Sequence, residues 1–350
     1  MSSLRVANLV NTAFETHTIC IYFYIMIKRD FFFPFLSQNF LLRSLIFFIA
    51  ILIVFVTGCS KIIEVEIPPS IPLLVVEGSI RNGEMPLVLL SKSQGYFDAV
   101  GGGQEGFYLG GATVTVTVNE TPYVLDEICT DDLTPEALEI VATTLGMDVE
   151  ILSMFPICAY TSFSEFDLLG VEGARYDLHV LYDTLEVTST TTLQNVIPID
   201  TAYFLVPSTS ENDSLGFIWM TYTDPDTLGN SFRWSSKRVG KDPSFIYPLG
   251  SAWNDSFVNG QQFTLSFYRY SDDNELEPSS EYGFWKTGDT VQVRLETVDA
   301  AAFSAIMTFE SAASAQGNPF APPTNVKSNI EGGLGWWIAY GASEYTVICN

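Results

Sequence analysis

The chain has 350 residues, with 41 acidic against 16 basic side chains, a formal net charge of −25 and two histidines. A surface this acidic repels phosphate backbones, which argues against nucleic-acid binding. Only His179 follows the first 58 residues and no CxxC pair exists, so multi-histidine zinc sites, zinc ribbons and thioredoxin-type chemistry are excluded.

The first organised stretch is Leu45–Cys59, LIFFIAILIVFVTGC, in which fourteen uncharged residues run into a cysteine. In Val56-Thr57-Gly58-Cys59 a branched apolar residue stands three positions before the cysteine, with small residues between. A peptidase can grip the apolar residue and reach an open backbone, and the Cys59 thiolate is unshielded for transfer of a diacylglyceryl group. This is the lipobox pattern of bacterial lipoproteins. A retained transmembrane helix needs about 20 apolar residues, whereas Leu45–Val56 supplies 12. Signal cores of about 7–15 residues fit better, and Arg43 gives the positive flank. Residues 1–58 are therefore expected to be an N-terminal extension and signal peptide. A start at Met26 would give a signal of 33 residues, closer to the usual length. Residues 59–72 are expected to be a lipidated tether, since Ser60–Pro72 ends in a proline-rich run.

Beyond residue 58 there remain 292 residues, with 12 basic and 39 acidic side chains, enough chain for two domains. Cys129, Cys158 and Cys349 remain after the signal and Cys59 are set aside. In an oxidising compartment Cys129 and Cys158 are the expected pair. They would close a loop worth about 3–4 kcal/mol in the chain-entropy model, leaving Cys349 as a free thiol.

The first domain is expected over 73–195. Leu73–Ile80 reads as a strand, Arg81–Glu84 as a turn around Asn82-Gly83, and Leu87–Lys92 as the returning strand. The glycine-rich Gln94–Gly111 reads as a loop, because it feeds a strand, Ala112–Val118, and not a helix that could cradle phosphate. Thr121–Ile128 is a further strand. Thr134-Pro135-Glu136 then opens a helix, with Leu138, Val141, Ala142 and Leu145 on one face. Cys129 and Cys158 bracket this helix, which reads as an insertion over 129–158. Arg175–Tyr182 alternates, with Tyr176, Leu178 and Val180 on one face and Asp177 and His179 on the other; Leu185–Leu193 follows. Short, closely spaced strands of this kind predict an all-β sandwich of immunoglobulin or transthyretin type.

A second β-rich domain is expected over 196–350. Its strands are Thr201–Val206, Gly216–Thr223, Ser231–Arg238, Gln261–Tyr270 and Thr290–Thr297. Asp299–Ser314 departs from the pattern: Phe303, Ile306, Met307 and Glu310 recur at helical spacing and Asp299 suits the cap. It reads as one amphipathic helix against the second sheet. The run Ser328–Trp337, SNIEGGLGWW, supports two readings. In one, its glycines form a tight turn and Trp336–Ala339 pairs inside the second sandwich. In the other, Trp336 and Trp337 form a docking edge for a partner, one of them exposed because adjacent strand residues face opposite ways.

This C-terminal run, with Asn318-Pro319-Phe320, the lipobox, the LVVEGSI strand and Thr223–Trp234 (TDPDTLGNSFRW), resembles the exported lipoproteins grouped as domain of unknown function 4249, typical of Bacteroidota. The resemblance implies a lipid-anchored outer-membrane protein, often encoded near TonB-dependent receptors. It implies no catalytic residues, and the insertion between Cys129 and Cys158 departs from its pattern.

Candidate chemistry is sparse. A serine- or cysteine-type mechanism would have to use His179, which the alternation places on a solvated strand face beside Asp177. Asp224, Asp226 and Asn230 offer oxygen ligands suited to Ca2+. Against this, the D-x-[DN]-x-[DN]-G pattern is absent, and Pro225 and Gly229 equally suit a hairpin turn. Asp272–Glu275 is a similar but weaker group. No other cofactor is expected. Trp219, Trp234, Trp253, Trp285, Trp336 and Trp337 could stack on sugars or peptides, although such residues more often fill cores. The expected function is a non-enzymatic binding or accessory component of a TonB-dependent transport system. A carboxylate-based hydrolase and a structural envelope protein are the alternatives.

Overall fold

The structure, a computed structural model, describes residues 71–93, 108–145, 148–154, 157–164, 166–208, 212–270, 281–315, 318, 320–322 and 324–350. They belong to one compact unit, Ile67–Asn350. Cys59, the signal and the tether as far as residue 70 lie outside the described residues, as do 94–107 of the glycine-rich stretch and Asp272–Glu275. Among the described residues no helix is long and apolar enough to cross a membrane.

The protein is mostly sheet. In the first half, β1 (Leu74–Arg81), β2 (Leu87–Lys92), β3 (Thr113–Val118), β4 (Thr121–Val124) and β5 (Asp126–Cys129) precede a helical insertion of α1 (Pro135–Leu145) and α2 (Val149–Met154). β6 (Cys158–Thr161), β7 (Arg175–Tyr182) and β8 (Leu185–Thr192) follow. The second half runs through β9 (Ile199–Leu205), β10 (Leu215–Thr223), β11 (Ser231–Arg238), β12 (Ala252–Asn254), β13 (Gln262–Phe267), β14 (Trp285–Lys286) and β15 (Thr290–Val298). It ends with α3 (Ala300–Ser314), β16 (Ile330–Glu331) and β17 (Leu334–Ile348).

Three sheets build two cores. An eight-stranded sheet has the order β12-β11-β15-β17-β1-β2-β6-β5. A five-stranded sheet, β16-β8-β7-β3-β4, closes the first core against β17, β1, β2 and β6. A smaller sheet of β13, β10, β14 and β9 closes the second against β11, β15 and β17. The alternation legible in the sequence is what fills them: Leu74, Val76 and Ile80 of β1, Val114 and Val116 of β3, and Tyr176, Leu178 and Val180 of β7 all point into the first core.

The eight-stranded sheet passes through the junction at 195–196, because β17 belongs to both halves. Leu334–Tyr340 pairs parallel with Val75–Arg81 of β1, and Gly341–Ile348 pairs antiparallel with Thr290–Thr297 of β15. Trp336–Ala339 thus pairs with β1 and sends Trp337 and Ala339 into the first core, where the sequence suggested pairing inside the second sandwich. Sterics explain the placement. A Cβ at Gly335 would stand 1.9 Å from Val76 O, and one at Gly78 would stand 2.6 Å from Trp337 Cε3. Glycine at both positions lets the backbones meet and the indole enter. Asn82 extends the junction, donating from Nδ2 to Ala342 O at 3.2 Å and accepting from Ala342 N at 2.6 Å.

The strand expected over Thr121–Ile128 is broken. β4 pairs with β3, whereas β5 pairs with β6 in the other sheet. Leu125, buried at this corner, lets the chain change sheets. The insertion packs Ala142, Leu152 and Ile157 against Leu89 on the outer face of β2. Helix α3 lies on the outer face of the eight-stranded sheet, packing Ala302 and Ile306 on Ala252, Val298, Ile338 and Tyr340. The Asp299 side chain caps it by accepting from Ala302 N.

Candidate functional site

The described residues build an aromatic cleft of about 400 Å3. Its walls come from β11 (Trp234), β12 (Trp253), the end of β13 with Tyr268–Tyr270, and the Pro248–Gly250 segment. Trp234 and Phe267 rings stand 4.0 Å apart, and Phe232 stacks beneath Trp253 at 5.8 Å. Trp253 Nε1 donates to the Tyr222 hydroxyl at 2.8 Å, which fixes the indole; burial pushes the Tyr222 phenol up to about 12. Arg269 holds the rim, donating from Nε to Phe284 O at 2.8 Å. Tyr268 is 68% exposed at the mouth. Small-molecule sites are typically concave, apolar and of about this volume. The cleft presents flat apolar faces, the surface on which a sugar ring or an aromatic side chain stacks.

A second feature is a charged network on the α3 side of the eight-stranded sheet. Glu296 of β15, fully buried, accepts at Oε1 from Arg81 Nε and from the Tyr247 hydroxyl, both at 3.0 Å. Arg233 stacks 4.0 Å over the Tyr247 ring and donates to Ser251 Oγ at 3.1 Å. Ser251 in turn donates to Glu310 of α3. Burial pushes the Arg81 guanidinium down, but Tyr247, Glu296 and Tyr340 outweigh it and hold the group well above its ordinary value. These charges pair with one another along one face of the sheet, although Glu296 Oε2 has no hydrogen-bond partner among the described residues, and the arrangement suits a lock between elements better than an acid–base pair. The sequence signal is charge at strand positions that alternate with core residues, as with Arg233 between Phe232 and Trp234, on a face that α3 then covers.

The residues singled out from sequence fall in several places. Cys129 and Cys158 form a disulfide at the base of the insertion, and Cys349 is free and buried. His179 is exposed, with Nε2 2.8 Å from Glu186 Oε1. Trp337 is wholly enclosed, donating from Nε1 to Tyr176 O at 3.0 Å, so its indole faces the core and not a partner. Trp336 points the opposite way, half-buried against Phe309 at 5.3 Å. Asp224 is buried and accepts from Gly260 N, while the Asn230 amide turns to Thr227 O. Among the described residues, two sets of three cysteine and carboxylate groups lie close enough to share an ion, Glu127 with Cys129 and Cys158 and Cys129 with Asp131 and Asp132, and both rely on sulfurs already committed to the disulfide.

Fold and site together define an all-β protein of sandwich type, with an aromatic cleft and a charged lock. The chain belongs to the family described as Domain of unknown function (DUF4249), whose model matches residues 60–346. No curated protein matches it.

Proposed function

We propose that this protein is a non-enzymatic binding component, held at the outer membrane by lipid on Cys59 and working beside a TonB-dependent receptor. The aromatic cleft carries the reading: it offers stacking surfaces in a volume suited to a small ligand. The membrane part rests on the lipobox, and the receptor part on the family resemblance. The test is purification from native membranes. A TonB-dependent β-barrel receptor should co-purify with the wild-type chain, and Trp253→Ala should lose the binding of sugars or aromatic peptides that the wild-type cleft shows. Replacing Cys59 by Ala should release the chain from membranes and abolish fatty-acid labelling. Glycan or peptide cleavage by the pure protein, or recovery with no such receptor, would count against the reading.

A further inference from the structure

Two turns meet beside the second core. The first, Asp224–Asn230, joins β10 to β11, and the second, Asp255–Gln261, joins β12 to β13. Backbone bonds tie them: Asp224 N donates to Gln261 O at 3.0 Å and Asp255 N to Asn230 O at 3.1 Å. Each turn also supplies a carboxylate to the other. Asp224 Oδ2 accepts from Gly260 N at 3.0 Å, and Asp255 Oδ2 accepts from Gly229 N and Asn230 N at 2.7 and 2.9 Å. Asp224 and Asp255 are only 2% and 1% exposed. Among the described residues neither pairs with a cation.

Buried carboxylates left without a counter-charge are costly, and proteins resolve the cost by pairing, protonation or metal coordination. Here the same two turns carry further oxygens. Asp224 Oδ1 and Asn259 Oδ1 are both buried without a hydrogen-bond partner among the described residues. Asp226 reaches the same corner, its Oδ1 lying 3.0 Å from where a Cβ on Gly260 would stand. Gly260, at φ +69°, makes the corner that brings Asn259 alongside the first turn. All these donors are oxygen, the chemistry of a hard cation, and their flexible two-turn origin suits Ca2+ better than the near-octahedral demand of Mg2+.

We propose that this corner is a calcium-type cation site in which Asp224 Oδ1, Asn259 Oδ1 and the Asp226 carboxylate are the protein side-chain ligands. Backbone carbonyls and water complete the roughly 6–8 oxygens such an ion takes. Asn259, from the second turn, takes the place that the sequence suggested for Asn230. The bound ion offsets the Asp224 and Asp255 charges and pins the β12–β13 turn, whose flanking strands carry Trp253 and Phe267 of the cleft.

The test uses the detergent-purified full chain, stripped with EDTA and titrated with Tb3+, whose emission is sensitised by nearby Tyr222 and Trp253. Sensitised emission that Ca2+ displaces and equal Mg2+ does not, with a Ca2+-dependent rise in Tm, is expected. Asp224→Asn and Asn259→Ala should each weaken Tb3+ binding about tenfold or more, while Glu136→Gln, an exposed acid in α1, should leave it unchanged. In EDTA, Asp224→Asn should melt no lower than wild type, because it discharges a buried carboxylate. If Asp224→Asn fails to fold, Asn259→Ala decides alone, since Asn259 Oδ1 accepts no hydrogen bond among the described residues. Absence of sensitised emission, wild-type binding in Asn259→Ala, or equal weakening in Glu136→Gln, the mark of diffuse attraction to an acidic surface, would overturn the proposal.

Discussion

Arg81 Nε donates to Glu296 Oε1 at 3.0 Å, joining residues 215 positions apart. Arg81 is the last residue of β1 and Glu296 lies in β15; β17 runs between these strands. The pair therefore clamps the strand shared by both cores.

Breaking that clamp from one side should be costly. Arg81→Met leaves the Glu296 carboxylate buried without its closest cation and should lower stability by about 3 kcal/mol. This is the low end for a broken buried pair, because Arg294 Nη1 remains 4.0 Å away. The double variant Arg81→Met with Glu296→Leu should recover part of the loss. Urea denaturation of the two single variants and the double variant gives the coupling. Additive losses would show that the pair is not coupled.

The two adjacent tryptophans should behave differently. Trp337→Ala empties a fully buried site and should cost about 3–5 kcal/mol. Trp336→Ala removes a half-buried ring packed on Phe309 and should cost about 1–2 kcal/mol. Matched denaturation midpoints of the variants check the asymmetry. Equal midpoints would contradict the assigned orientation.

Gly335→Ala should destabilise more than an ordinary strand substitution. Its φ is +97° and a Cβ would run into Val76 O, so the backbone of β1 or β17 must shift. A loss of at least about 1–3 kcal/mol is expected. Hydrogen exchange should show it as lost protection at Val76 and Gly78, while β10 and β13 remain protected.

Burial pushes the Cys349 thiol from its ordinary value of 9.0 up to about 12, with Asp289 adding to the shift. A thiol with a raised folded pKa favours the folded state only while neutral. Its contribution is whole below about pH 9 and is lost as pH climbs toward about 12. Native protein should resist iodoacetamide at pH 8 and react once unfolded. Cys349→Ala should reduce the fall in stability over that alkaline window, as measured by thermal melts.

Much of this architecture is legible locally. β1, β3 and β7 announce themselves by period-2 alternation, and α3 by a capping Asp299 before a helical run. These signals arise within a few residues, and the tertiary structure agrees with them. The parallel pairing of Trp336–Ala339 with β1 has no such signal, because it depends on Gly78 and Gly335, residues remote in the chain. β12, β14 and β16, at two or three residues each, are too short for a period to develop. The same distance separates the two turns of the proposed cation site: Asp224 stands out in its own turn, but Gly260 becomes its hydrogen-bond partner only when β12 and β13 fold back. The cleft was half-legible, since Trp234 and Trp253 could be named as stacking candidates but not brought together.

The sharing of β17 also bears on how the chain reaches its native state. Asn82 and Ala342 are 260 positions apart, yet they exchange hydrogen bonds. Neither core can close before β17 has been made: the first waits for Trp337 and the second for Val347. The nascent chain consequently keeps the exposed edges of β1 and β15 open until β17 has been made. High contact order of this kind slows the search for the native pairing. An unpaired parallel edge also invites association with other chains, so the interval before β17 docks is when a holding chaperone would matter most.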